Sequence, residues 1–277
     1  MKKQILFFCL LWLAIGLSAQ NTKASNSNQS NDTLKVLAIG NSFSVDGLTY
    51  LQEIAAATGR PIVIGNLYIG GCSLERHFKN TQTSEKPYRY YKNVCGLKSE
   101  ADYSLSDGIT DEDWDVVSFQ QASHYSGMYA TYSPYLSELQ HYVRAHISNK
   151  EAKFVWHMTW AYSADSDHGG FANYQKDQQT MYKAIKAAAE KARKDYDFEY
   201  IIPCGKTIQE CRKTTIGDHL TRDGYHLNDL GRFAAGYTWY LMLFGDSAKE
   251  SDYKPSTLTD QQAKIARRMA KKSCRRF

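Results

Sequence analysis

Leu34-Lys35-Val36-Leu37-Ala38-Ile39-Gly40-Asn41-Ser42-Phe43-Ser44 is the stretch that decides how this chain folds. Leu34 to Ile39 has the length and the apolar content of a buried strand, and Gly40 closes it. From Leu48 to Thr58 apolar residues recur at helical spacing, and Gly59-Arg60-Pro61 stops the helix. A buried strand that runs through a tight turn into a helix is the opening unit of a parallel sheet covered by helices.

The same alternation continues outward. Ile62 to Ile69 reads as a second strand closed by Gly70-Gly71, Asp115 to Phe119 as a third, Lys153 to Met158 as a fourth, and Tyr200 to Ile202 as a fifth. Helical periodicity covers Pro134 to Ile147, Phe171 to Lys194, Leu230 to Phe244 and Thr259 to Lys272. The stretch from Tyr88 to Asp113 is the least regular and reads as an insertion. Near-continuous apolar strands are what a sheet buried on both faces requires. The expected fold is therefore one three-layer α/β/α domain over residues 33–277, with a mainly parallel five-stranded sheet. In such sheets the site lies beyond the carboxyl ends of the strands. That rule points to Gly40–Asp46, Gly70–Ser73, Gln120–His124 and Thr159–His168.

Composition narrows the class. The 277 residues are 43% hydrophobic and 23% charged, which suits a globular core and excludes a mainly disordered or fibrous chain. The formal net charge of +5 is unevenly placed, because Lys264 to Arg276 holds seven basic residues and no acidic one. Basicity confined to one terminal helix gives no reason to expect a nucleic-acid partner. That helix is read as a solvated face, with contact to an anionic glycan or membrane surface as the lesser alternative.

The first residues read as a targeting segment. Met1-Lys2-Lys3, the apolar run Ile5 to Leu17 and the small Ala19 have the form of a secretory signal peptide over residues 1–19. A polar lead-in follows over 20–32. The expectation is an exported chain, periplasmic or extracellular, with no stable membrane insertion. Export makes disulfides possible. Cys204 and Cys211 are close enough in sequence to pair, as are Cys72 and Cys95, leaving Cys274; the alternative is that all are thiols. No CxxC pair or other defined ligand spacing is present, so no metal and no cofactor are expected.

Two short motifs carry chemistry. Ser42 follows the first strand, where a hydroxyl emerges at the mouth of the sheet, although a serine there also serves as an ordinary helix cap. Asp223-Gly224-Tyr225-His226 lies far along the chain, and a carboxylate three residues before a histidine can hold the ring in one tautomer. A serine hydroxyl needs such a base to become a nucleophile. In this order and at these strand ends, the motifs resemble the SGNH (GDSL-like) hydrolase superfamily, over roughly Leu34 to Phe244.

The resemblance implies a flavodoxin-like hydrolase fold, with Ser42 as nucleophile, Asp223 as orienting acid and His226 as base. It makes the Ser42 and Gly71 backbones oxyanion donors. The superfamily's usual Gly-x-Asn-Asp block is absent after the third strand. Gln120-Gln121 stands there instead, and a glutamine amide offers the same donors as asparagine. The third donor is expected to be Gln120, with Gln121 as the alternative, and a purely structural glutamine remains open. Glutamine in this region is also a trait of the sialate and xylan acetylesterase branches. Trp160, His157 and Tyr162 are expected to line the cleft, since aromatic faces suit sugar rings. The function expected is an exported serine esterase removing O-acyl groups, foremost O-acetyl, from a glycan or small-molecule ester. The alternatives are a lipase or thioesterase of the same fold, or a non-catalytic glycan-binding protein.

Overall fold

The computed structural model of the chain describes residues 33–93 and 99–275, with the backbone alone for 99–101. The expected signal peptide, the polar lead-in and Cys95 lie outside the described residues. The chain opens with strand β1 (Leu34–Gly40), followed by helices α1 (Ser42–Leu48) and α2 (Leu51–Ala56). Strand β2 (Ile62–Tyr68) leads to α3 (Leu74–Asn80), a hairpin of β3 (Tyr88–Lys92) and β4 (Ser99–Tyr103), and α4 (Leu105–Thr110). Then come β5 (Val116–Phe119), α5 (Tyr135–His146), β6 (Lys153–His157), α6 (Gln178–Asp195) and β7 (Tyr200–Ile202). Helices α7 (Cys204–Arg212), α8 (Asp229–Phe244) and α9 (Asp260–Cys274) complete the order.

The strands form one sheet in the order β4-β3-β2-β1-β5-β6-β7. The five expected strands are present and pair in parallel. The sheet has seven strands rather than five, because the stretch read as an irregular insertion supplies β3 and β4, which add antiparallel to the β2 edge. Helix α4 also falls in that stretch, capped by Ser104 and Asp107 in a reciprocal capping box.

The winding of the sheet places the site. The chain goes from β1 to β2 on one side and later returns to set β5 on the other side of β1. The crevice of such a reversal opens at the carboxyl ends of β1 and its two neighbours. There the register sets Gly40 beside Tyr68 and Ile39 beside Phe119. The Gly40-Asn41-Ser42 turn is thus flanked by the loops that carry Gly71 and Gln120.

Helices α1, α2, α7, α8 and α9 pack together, and α3 and α4 pack against α5. The core is contiguous, with Trp114, Trp156, Trp160 and Trp239 all fully buried. The basic α9 is part of the fold, for its Ala263, Ile265, Ala266, Met269 and Ala270 are buried against α7 and α8 while its lysines face outward. Cys204 and Cys211 sit seven residues apart on the single helix α7, about 10 Å along its axis by helical rise. That separation exceeds disulfide reach. Both are buried thiols, as is Cys72, and Cys274 is half-buried. Among the described residues no helix is long and apolar enough to cross a membrane.

Candidate active site

Ser42 is the first residue of α1. Asn41 caps the helix in an extended conformation, and its Oδ1 accepts from the Phe43 N–H at 3.0 Å. The first N–H groups of a helix have no partner within it. With the cap directed at Phe43, the Ser42 N–H has no acceptor among the described residues. Ser42 itself is half-buried, at the turn between β1 and α1.

The Asn41 side chain joins three loops. Its Nδ2 donates to the Cys72 carbonyl at 3.0 Å, and its Oδ1 also accepts from Gln120 Nε2 at 2.7 Å. Gln120 Oε1 in turn lies 2.8 Å from His157 Nδ1. Burial pushes the fully enclosed His157 down to about 3, so its ring is neutral near pH 7. Nδ1 then donates, and the network runs with one polarity: His157 to Gln120, Gln120 to Asn41, Asn41 to Cys72. The chain starts at a ring whose other nitrogen, His157 Nε2, is buried and has no partner among the described residues.

The latch to Cys72 fixes the turn that presents Gly71. Gly71 adopts a φ of +61°, in the left-handed region where glycine is favoured, and it is exposed. Its N–H has no acceptor among the described residues.

The two glutamines have different places. Gln121 Oε1 accepts from the Leu74 and Ala122 amides, and its Nε2 donates to Thr131. It thereby ties the start of α3 to the loop after β5, with no group left for a ligand. Gln120 lies under the Ser42 turn, 2% exposed, and retains one amide hydrogen beyond the bond to Asn41.

The expected acid and base, Asp223 and His226, lie in the loop before α8. Thr221 and Leu227 form an antiparallel bridge, and the Arg222 N–H donates to the His226 carbonyl at 2.9 Å. The loop between them folds over Asp223. Asp223 Oδ1 accepts from the His226 and Tyr225 amides, and Oδ2 lies 2.7 Å from His226 Nδ1. Partial burial raises the Asp223 carboxyl, but these bonds outweigh it and hold the group below its ordinary value. Asp223 is thus an anion near pH 7, and it fixes the imidazole with Nδ1 protonated and Nε2 free. The His226 ring lies 6.0 Å from that of Phe43, the neighbour of Ser42. Among the described residues Ser42 Oγ makes no hydrogen bond to His226. Such bonds are commonly long before substrate is present.

A residue that no sequence motif marks holds this loop to the helix that starts at Ser42. Asp46, one turn beyond Ser42 on α1, is 1% exposed. Its carboxylate accepts from the Leu227 amide at 2.8 Å and pairs with Arg222 at 3.1 Å and Arg232 at 2.8 Å. Arg222 and Leu227 bracket Asp223 and His226. The signal in the sequence is an aspartate in the first turns of an apolar helix, which needs a buried partner.

Trp160, His157 and Tyr162 do not line an open cleft; each is at most 1% exposed. Trp160 stacks beneath Phe43 with centroids 4.3 Å apart, and its Nε1 donates to the Tyr225 carbonyl at 2.8 Å. These large rings are covered because they support the site from behind. The rings that reach the surface beside His226 are Tyr225, His168, His124 and Tyr125.

A family model described as a domain of unknown function, DUF4886, matches residues 35–273. The crystal structure of a DUF4886 family protein from Bacteroides uniformis ATCC 8492 covers 88% of this chain and 96% of its own, at 41% identity and a TM-score of 0.84. A proposed SGNH hydrolase from Slackia heliotrinireducens covers 75% of this chain and 97% of its own, at 18% identity and a TM-score of 0.51. A variant of an acetyl xylan esterase from Geobacillus stearothermophilus covers 78% and 97%, at 12% identity and a TM-score of 0.50. At these identities the last two likenesses concern the fold. No curated protein matches this chain.

Proposed function

The chain belongs to the DUF4886 family, and from the groups assembled at its sheet crevice we propose that it is a serine esterase removing O-acyl groups, foremost O-acetyl, from carbohydrate. The observation that carries this reading is the Asp223–His226 pair, 2.7 Å apart, set beside the turn that presents Ser42.

In this mechanism Ser42 Oγ attacks the acyl carbonyl carbon as His226 Nε2 takes its proton. Asp223 keeps the ring in the required tautomer and stabilises the imidazolium. The negative charge on the carbonyl oxygen meets the Ser42 and Gly71 N–H groups, with the remaining amide hydrogen of Gln120 as third donor. Donors fixed beforehand are worth several kcal/mol, about 3 each, because nothing must reorganise as charge develops. His226 then gives its proton to the alcohol oxygen, and the alcohol leaves with the acyl group on Ser42. Water, deprotonated by His226, releases the acid and restores the serine.

Carbohydrate is favoured over lipid on three grounds. The Gln120-Gln121 block resembles those of sugar-directed branches, one fold neighbour is described as an acetyl xylan esterase, and half-exposed aromatic rings border His226. The apolar leader read in residues 1–19 supports an exported enzyme that meets such polymers. Incubation with acetylated glycans and measurement of released acetate tests the reading. Acetate release that depends on Ser42 is expected. Hydrolysis confined to long-chain acyl esters would favour a lipase instead.

A further inference from the structure

Six rings run in file from the Ser42 turn to the surface. Phe43 is 6.0 Å from His226, and His226 is 4.2 Å from Tyr225, centroid to centroid. Tyr225 is 4.6 Å from His168, and His168 is 6.1 Å from His124. Tyr125 continues the file 4.0 Å from His124 and is, at 36% exposure, one of two large hydrophobic side chains exposed among the described residues. The other, Met128, lies three residues further on. Buried Tyr162 forms the floor, 4.8 Å from His168.

Neither histidine has a structural task that uses up its ring. His168 Nδ1 accepts from the Gly170 N–H at 3.0 Å, so that nitrogen carries no proton and the hydrogen sits on Nε2. His168 Nε2 has no partner among the described residues and is not enclosed, and the same holds for both ring nitrogens of His124. Burial, and then the neighbouring His226, push His168 below its ordinary value; burial and then His168 do the same to His124. Both rings are therefore neutral near pH 7, each offering a donor to an uncharged ligand.

The backbone is shaped to hold this pair. The His124 carbonyl is pinned by Asn173 Nδ2 at 2.9 Å and by the Tyr174 hydroxyl at 3.1 Å. Gly170 lets the two loops meet, since a Cβ there would lie 2.2 Å from His124 Cβ and 3.2 Å from His168 Cε1.

We propose that His124 and His168, flanked by Tyr125 and Tyr225, form the subsite that holds the sugar ring carrying the scissile ester. This inference rests on the esterase reading and names the residues that select its substrate. His226 must protonate the departing alcohol oxygen, so the alcohol lies against His226, and the rings beyond it are on that side. A pyranose presents neutral hydroxyls at its rim and C–H groups on its faces. Those match a row of neutral imidazole donors between phenol rings. An alkyl alcohol on that side would offer neither histidine a hydrogen-bond partner.

The test compares kcat/KM for O-acetylated xylo-, gluco- and manno-oligosaccharides with that for p-nitrophenyl acetate. The native protein is expected to prefer at least one oligosaccharide. His124→Ala and His168→Phe should each lower that preference ratio about three- to tenfold, the worth of a hydrogen bond, mainly through KM. His168→Gln, which restores a donor near Nε2, should recover part of the loss. Equal use of p-nitrophenyl acetate and every oligosaccharide, or a ratio unmoved by either substitution, would overturn the subsite. Failure of the native protein to cleave p-nitrophenyl acetate would instead overturn the esterase reading beneath it.

Discussion

Asp46 accepts the Leu227 N–H at 2.8 Å, and this bond joins the helix that starts at Ser42 to the loop that ends at His226. The two residues are 181 positions apart in the chain. Arg222 and Arg232 complete the carboxylate's surroundings and leave it paired although it is buried. Ser42 and His226 are thus referenced to one another through a carboxylate that is itself buried.

Asp46→Ala removes that reference and leaves the buried Leu227 amide without its acceptor, while the partly exposed Arg222 and Arg232 keep the Leu227 carbonyl and Asp229. An unsatisfied buried donor costs about 1–3 kcal/mol. The expected result is a clear fall in melting temperature together with a loss of kcat on p-nitrophenyl acetate. A chain that melts lower but keeps its kcat would show that Asp46 holds the fold and not the site.

Gln120 and Gln121 are expected to separate cleanly. Gln120→Ala removes the donor to Asn41 together with the proposed third oxyanion donor, so kcat should fall about 10²–10³-fold with little change in KM. Gln120→Glu should do no better, because a carboxylate cannot donate to Asn41 Oδ1 and repels the developing charge. Gln121→Ala should chiefly lower stability, through the freed Leu74 and Ala122 amides. Full activity in Gln120→Ala would leave the Ser42 and Gly71 amides as the sufficient donors.

Stability should fall on mild acidification. Burial pushes His77 and His157 down to about 3 in the folded chain, against an ordinary value of 6.5. Below 6.5 the unfolded chain takes up protons that the folded one cannot, so their contribution is full above 6.5 and is lost as pH drops towards 3. Well inside that window each histidine should cost about 1.4 kcal/mol per pH unit. Urea unfolding between pH 7 and pH 4 measures the slope. His77→Phe, which keeps a ring against Tyr88, should lower the slope by about 1.4 kcal/mol per pH unit.

The fold was legible because its parallel strands are short apolar runs, each closed at the crevice. The strand count was not, since Tyr88–Lys92 and Ser99–Tyr103 lack that apolar continuity and pair at an antiparallel edge. The Ser42, Asp223 and His226 motifs stood out by order and position. Asp46 did not, because its partners are distant in the chain. Trp160 and Tyr162 were misplaced for a simple reason: position after a strand puts a ring near the mouth but does not say whether others cover it. His124 and His168 drew attention only as loop residues, and their pairing depends on the close approach at Gly170.

The central claim is that Ser42 is a nucleophile activated by His226 and Asp223. Its most direct measurement is reaction with a fluorophosphonate probe, followed by peptide mass spectrometry. The claim predicts one adduct, on the peptide containing Ser42, absent in Ser42→Ala and formed about 10²–10⁴-fold more slowly in Asp223→Asn. No adduct on the folded native protein, or an adduct on a different serine, would contradict it.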